Sequence, residues 1–143
     1  MADQLSKDQL PNAPISSATP KFKKVLCVED EHFISELYTR ALRKAGYEVT
    51  IATDGQDGLD RAKAGDFDIV LLDIMLPNII GTEVLKQLKD PALGLKAKII
   101  ITTNLEQKEE TRQAIEKQAD GYIVKADVTP KQLVQFLQHF ETT

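Results

Sequence analysis

Four stretches of the 143-residue chain carry reactive side chains directly after short apolar runs. Glu29, Asp30 and Glu31 follow Lys24–Val28 (KVLCV), and Asp73 follows Ile69–Leu72 (IVLL). Thr103 and Asn104 follow Lys98–Thr102 (KIIIT), and Lys125 follows Gly121–Val124 (GYIV). Carboxylates gathered at one place repel and raise one another's pKa. Hard oxygen ligands of this kind suit Mg2+, which keeps several waters and takes a few carboxylates together with phosphate oxygens. An aspartate can itself be a nucleophile and form an acyl phosphate. A hydroxyl and an ammonium can then hold the phosphoryl oxygens. Any one of these acids alone is what a protein surface normally carries. Together they make a phosphoryl site only if the fold brings the four stretches to one edge.

The intervening segments specify such a fold. Phe33, Leu37, Ala41, Leu42 and Ala45 recur at helical spacing, and Gly46 stands where a helix closes. Glu48–Ala52 reads as a strand, and Gln56–Ala64 as a helix capped by Asp54 and ended by Gly65. Val84, Leu85 and Leu88 mark a helix over Thr82–Lys89, stopped by Pro91. A helix is expected over Gln107–Gln118 with Asn104 as its N-cap, thinly anchored by Ala114 and Ile115. Thr129-Pro130-Lys131-Gln132 has the form of a capping box with Pro at N1, before a stripe of Leu133, Phe136, Leu137 and Phe140. Five strands thus alternate with five helices. Fully apolar strands between helices imply a parallel sheet covered on both faces. The expected fold class is α/β, a doubly wound (βα)5 of the flavodoxin-like kind, with a five-stranded parallel sheet of order 2-1-3-4-5. Ligands of such sheets bind beyond the carboxyl ends of the strands. That order sets strands one and three side by side, so Glu29, Asp30 and Asp73 converge.

Composition narrows the rest. With 42% hydrophobic and 28% charged residues the chain reads as one ordinary globular domain. Cys27 is the lone cysteine, so no internal disulfide forms, and its place in an apolar strand reads as a buried thiol. With two histidines there is also no basis for a zinc site, and His32 reads as a surface residue at a helix start. A net charge of −4 gives no footprint for direct nucleic-acid binding. No apolar run approaches the ~20 residues of a membrane span, and no signal peptide is evident, so a cytoplasmic protein is expected. Residues 1–22, with Pro11, Pro14 and Pro20, are expected to form an unstructured tail ahead of a domain over residues 23–141.

In its motifs the chain resembles the receiver domain of two-component response regulators. They are Val28-Glu29-Asp30-Glu31, Leu71-Leu72-Asp73-Ile74-Met75-Leu76-Pro77 with Gly81, Thr102-Thr103-Asn104, and Gly121-Tyr122-Ile123-Val124-Lys125. The resemblance implies that Asp73 is the phosphoacceptor. It also implies that Glu29, Asp30, Asp73 and the backbone carbonyl of Met75 bind Mg2+, with Asp30 the more direct ligand of the acidic pair. Thr103 and Lys125 would hold the phosphoryl group, and Thr103 with Tyr122 would form the switch. Thr103 is preferred to Thr102 because alternation along the strand is expected to turn Thr102 away.

The implied function is a phosphorylation-dependent signalling switch in a phosphorelay, not an enzyme with its own substrate. The implied partners are a sensor histidine kinase or phosphotransfer protein and a downstream protein target, and a phosphorylation-dependent homodimer is compatible with it. With no output domain after the last helix, output by protein contact, or a longer parent protein, is expected. Three positions depart from the family pattern: Ala126 replaces the usual Pro after the lysine, Asn104 a small residue, and Ile80 a small or acidic one. A trans Lys125–Ala126 bond is expected, since a cis bond before a non-proline residue costs about 2.5–4 kcal/mol. Two rival readings are a receiver-like interaction module that is never phosphorylated, and a small aspartyl-phosphate hydrolase. The hydrolase would want a second acid where Met75 stands.

Overall fold

The computed structural model describes residues 22–104 and 107–141. Within them the strands are β1 (Lys24–Val28), β2 (Glu48–Ala52), β3 (Ile69–Asp73), β4 (Lys98–Thr103) and β5 (Gly121–Val124). The helices are α1 (His32–Lys44), α2 (Gly55–Ala64), α3 (Gly81–Leu88), α4 (Glu109–Gln118) and α5 (Pro130–Glu141). All strand pairs are parallel and the order is β2-β1-β3-β4-β5, the expected doubly wound sheet. Ends shift by a residue or two from the sequence reading, which is the usual softness of such boundaries.

Alternation along the strands divides the core in two. Leu26, Val70, Leu72, Ile99, Ile101 and Tyr122 pack with α2, α3 and α4 on one face. Val25, Cys27, Leu71, Ile100 and Ile123 pack with α1 and α5 on the other. Every residue of β3 is buried, as its central position demands. Capping follows the sequence: Asp54 accepts from the Asp57 N–H at 2.7 Å, and Thr129 and Gln132 bond reciprocally at 3.1 and 2.9 Å. Gly46 closes α1 with φ of 101°, a left-handed backbone that favours glycine.

Two expectations are corrected. Leu42 of the expected row is buried in α1 and Ala41 and Ala45 pack beside it, but Phe33 is 70% exposed, and Ser35, Tyr38 and Thr39 complete the buried face. Tyr38 and Leu42 fill the space over the sheet, while the first turn of α1 starts at the sheet's carboxyl edge, where Phe33 faces solvent. Asn104 does not cap α4, which begins at Glu109 behind Lys108 with no side-chain cap. Its amide is engaged elsewhere, as described below. Only Ile115 of α4 is buried, so that helix is thinly anchored, as expected.

The expected unstructured tail lies outside the described residues, apart from its last position. There Phe22 packs against the core on the α1/α5 face. His32 is exposed, as read from sequence. No helix among the described residues is long and apolar enough to cross a membrane.

Candidate functional site

The sheet register carries the candidate residues to one edge. Val28 pairs with Leu72, so the residues that follow them, Glu29 and Asp73, stand side by side where β1 and β3 end. Glu29, Asp73 and Lys125 all continue the strand phase of the α1/α5 face, the phase of Cys27, Leu71 and Ile123. Lys125 comes from beyond β4 and its stem spans the end of that strand. Its ammonium donates to Asp73 Oδ2 at 3.0 Å and to Glu29 Oε1. Asp73 and Glu29 are each 2% exposed. The other oxygens are also held: Asp73 Oδ1 accepts from the Met75 N–H at 3.2 Å, and Glu29 Oε2 from the Glu31 N–H at 3.1 Å.

Asp30 is exposed, yet one of its carboxylate oxygens lies with those of Glu29 and Asp73 in a group all within 4.8 Å of one another. Two buried carboxylates and one at the mouth form an all-oxygen donor set that fits a hard divalent cation such as Mg2+. Burial lifts the Glu29 carboxyl to about 7, against the pull of its bond to Lys125. Burial draws Lys125 down, but the bonds and charges of Glu29 and Asp73 outweigh it and hold the ammonium above its ordinary range. Burial, with the Glu29 charge, pushes the Cys27 thiol up to about 12, so this cysteine is an inert packing residue.

The loop after β3 is shaped around Asp73. The Gly81 N–H bonds the Ile74 carbonyl at 2.7 Å, and a Cβ on Gly81 would stand 2.0 Å from the Asp73 carbonyl oxygen. Only glycine lets α3 start so close beneath the acidic edge. Asn78 turns the loop with φ of 69°. Met75 projects outward, 65% exposed.

The alternation argument about the two threonines does not hold. Asp73 pairs directly with Thr102, so Thr102 shares the face of Asp73 rather than turning away from it. Thr103 lies at the very end of β4 on the opposite phase, the face that also carries Tyr122. Its hydroxyl accepts from Gln107 at 3.4 Å. Tyr122 is fully buried, and its ring lies 5.2 Å from the Arg112 guanidinium of α4. Lys125 opens a short 3-10 turn over Lys125–Asp127, and no cis peptide occurs among the described residues, so Lys125–Ala126 is trans.

Sequence reasoning missed three features. Asn104 Nδ2 donates to Glu31 Oε1 at 3.2 Å, a pair 73 residues apart with no local signature. The Arg112–Tyr122 stacking joins α4 to the strand that follows it and has no periodic signature either. The exposure of Phe33 was masked by its fit to an apolar period.

Comparison with known proteins bears on this arrangement directly. Residues 25–138 match the response regulator receiver domain family. The Escherichia coli (strain K12) transcriptional regulatory protein CusR is 37% identical over 102 residues, covering 71% of this chain and 44% of that protein. The chain therefore spans under half the length of that curated relative. A CheY-like receiver domain protein from Methanospirillum hungatei superposes with a TM-score of 0.74 at 30% identity, over 85% of this chain and 95% of that one. The Thermotoga maritima response regulator TrrA, solved in complex with Mg(2+)-BeF, gives a TM-score of 0.62 at 35% identity, over 71% and 85%. With its sheet order, its acidic edge and its buried lysine accounted for, this chain belongs to the response regulator receiver domain family.

Proposed function

We propose that the chain is a phosphorylation-dependent switch in which Asp73 accepts a phosphoryl group from a sensor histidine kinase or phosphotransfer protein. The observation that carries this reading is the Lys125 ammonium bridging Glu29 and Asp73, whose carboxylates are grouped with that of Asp30. A carboxylate oxygen of Asp73 attacks phosphorus as the phosphorus–nitrogen bond of a phosphohistidine breaks. The imidazole leaves and takes a proton from solvent, and Asp73 becomes an acyl phosphate. Glu29, Asp30, Asp73 and the Met75 carbonyl would hold Mg2+. When bound, that ion supplies positive charge against the phosphoryl oxygens. Lys125 is already oriented on Asp73 and supplies a second positive charge without rearrangement.

Thr103 supplies a hydroxyl to the phosphoryl group, and the loop it leads moves with it. Thr103 and Tyr122 share a face, and Tyr122 packs under Arg112, so that movement is passed to α4. A helix held by one buried side chain shifts readily. Phe33 and Met75, both following strand ends at the acidic edge and 70% and 65% exposed, suit docking of a protein partner there. The reading implies a cytoplasmic protein whose output is contact with a target, or a linked segment of a longer regulator, since the curated relatives are transcriptional regulatory proteins.

Incubation with Mg2+ and a small phosphodonor tests the reading. One phosphoryl group per chain is expected by intact mass, with none on Asp73→Asn. Absence of label on the wild type would favour an unphosphorylated interaction module. Multiple turnover of the donor without stable label would favour a hydrolase.

A further inference from the structure

We infer that Glu31 and Asn104 form a bar across the mouth of the acidic pocket. The bar slows both the approach of a small anionic phosphodonor to Asp73 and the attack of water on the phosphorylated residue. This rests on Asp73 being the phosphoacceptor. The geometry comes from the sheet. Glu31 lies just beyond β1, and Asn104 just beyond β4. Strand β3 runs between β1 and β4. Neighbouring strands are about 4.8 Å apart, so the ends of β1 and β4 stand about 10 Å apart with the end of β3 between them. A side-chain bond joining Glu31 to Asn104 therefore crosses the end of β3, where Asp73 sits. The bond is present, from Asn104 Nδ2 to Glu31 Oε1 at 3.2 Å.

Both ends of the bar are tied to the pocket. The Glu31 N–H donates to Glu29 Oε2 at 3.1 Å, and Glu29 is the carboxylate that Lys125 holds beside Asp73. Asn104 directly follows Thr103 at the end of β4. Glu31 and Asn104 are exposed whereas Asp73 is buried, so the bar lies on the solvent side of the phosphoacceptor. Glu31 also adds a carboxylate to a mouth that already holds Asp30, and a like charge repels an anionic donor within about 10 Å at 0.1 M salt.

The two effects are separable. Asn104 controls whether the bar is closed, and Glu31 contributes both closure and charge. Loss of phosphoryl is attack of water on phosphorus with the bond to Asp73 breaking. The carboxylate is regained, inorganic phosphate departs and a proton goes to solvent. An open mouth admits that water more readily.

The experiment measures labelling by acetyl phosphate and loss of the label, with Mg2+ present, for wild type, Asn104→Ala, Glu31→Ala, the double variant and Glu31→Gln. Opening the bar by Asn104→Ala or Glu31→Ala is expected to speed label loss about three- to tenfold, the range that one hydrogen bond allows. The double variant is expected to match the single variants, because both remove one interaction. Glu31→Gln keeps an oxygen that accepts from Asn104. It is expected to hold label loss near the wild-type rate while labelling becomes faster and less dependent on salt. Additive effects, or unchanged loss in Asn104→Ala and Glu31→Ala beside a labelled wild type, would overturn the bar. A wild type that takes no label overturns the phosphoacceptor reading itself, and the role of the bar with it.

Discussion

Lys125 reaches across the end of an intervening strand to place its ammonium 3.0 Å from Asp73 Oδ2, and both side chains are almost wholly buried. The same ammonium bonds Glu29. One cation thus neutralises part of a pocket whose two inner carboxylates would otherwise be buried without a counter-charge. The predictions below follow from that dependence.

Lys125→Met leaves Glu29 and Asp73 buried without their cation. Breaking a buried pair from one side costs about 3–5 kcal/mol. Urea unfolding of the metal-free variant is expected to show a loss of that order, reduced by millimolar Mg2+. An unchanged midpoint would mean that the carboxylates are solvated in a way the geometry does not indicate.

Glu29 sets a pH dependence. Its carboxyl is lifted by burial from 4.5 to about 7. Between those values the folded, metal-free protein holds a proton that the unfolded chain has released. The stabilising contribution is therefore complete below about 4.5 and is lost as pH rises through about 7. The stability difference between wild type and Glu29→Gln is expected to move against the wild type across that window. Mg2+ competes with the same proton, so Mg2+ affinity is expected to rise toward pH 8 and to lose that slope in Glu29→Gln. Parallel stability profiles for the two proteins would contradict this.

Gly81→Ala puts a methyl group 2.0 Å from the Asp73 carbonyl oxygen, where only backbone movement makes room. Overpacking of this kind typically costs 1–3 kcal/mol, and here the movement also disturbs the acidic edge. Thermal unfolding is expected to fall, and Mg2+ affinity with it. A variant equal to wild type in both would show that the loop yields freely.

Tyr122→Ala removes a fully buried ring. Such truncations cost about 3–5 kcal/mol, so stability falls, while labelling of Asp73 is expected to persist in the folded fraction. Arg112→Ala removes the stacking partner of Tyr122 together with the ion pair that Arg112 makes to Glu116 within α4, and is expected to cost about 1–2 kcal/mol while weakening the response of α4 to phosphorylation. Exchange of α4 amides with and without phosphodonor reads this. An undiminished response in Arg112→Ala would place the coupling elsewhere.

The sheet was legible because its central strands hold uninterrupted apolar runs, IVLL in β3 and III in β4, separated by helices with local stop and cap signals like those of Asp54 and Thr129. Strand order then placed Glu29, Asp30 and Asp73 together without any knowledge of side chains. What escaped were choices made by the third dimension. Phe33 fits an apolar period, but the rotation of α1 is set by Tyr38 and Leu42 against the sheet. Asn104 has the chemistry of an N-cap, yet its amide is used by Glu31 from across β3. The face of each threonine depended on register, and register pairs Thr102 with Asp73.

The measurement that bears most directly on Asp73 is chemical trapping of the acyl phosphate. Wild-type protein treated with Mg2+ and phosphodonor is reduced with borohydride, digested and mapped by mass spectrometry. Homoserine in place of Asp73, and at no other acid, is the expected result. Trapping at Glu29 or Asp30 instead, a label on His32 or His139, or no trapped residue in a protein that still binds Mg2+, would contradict it.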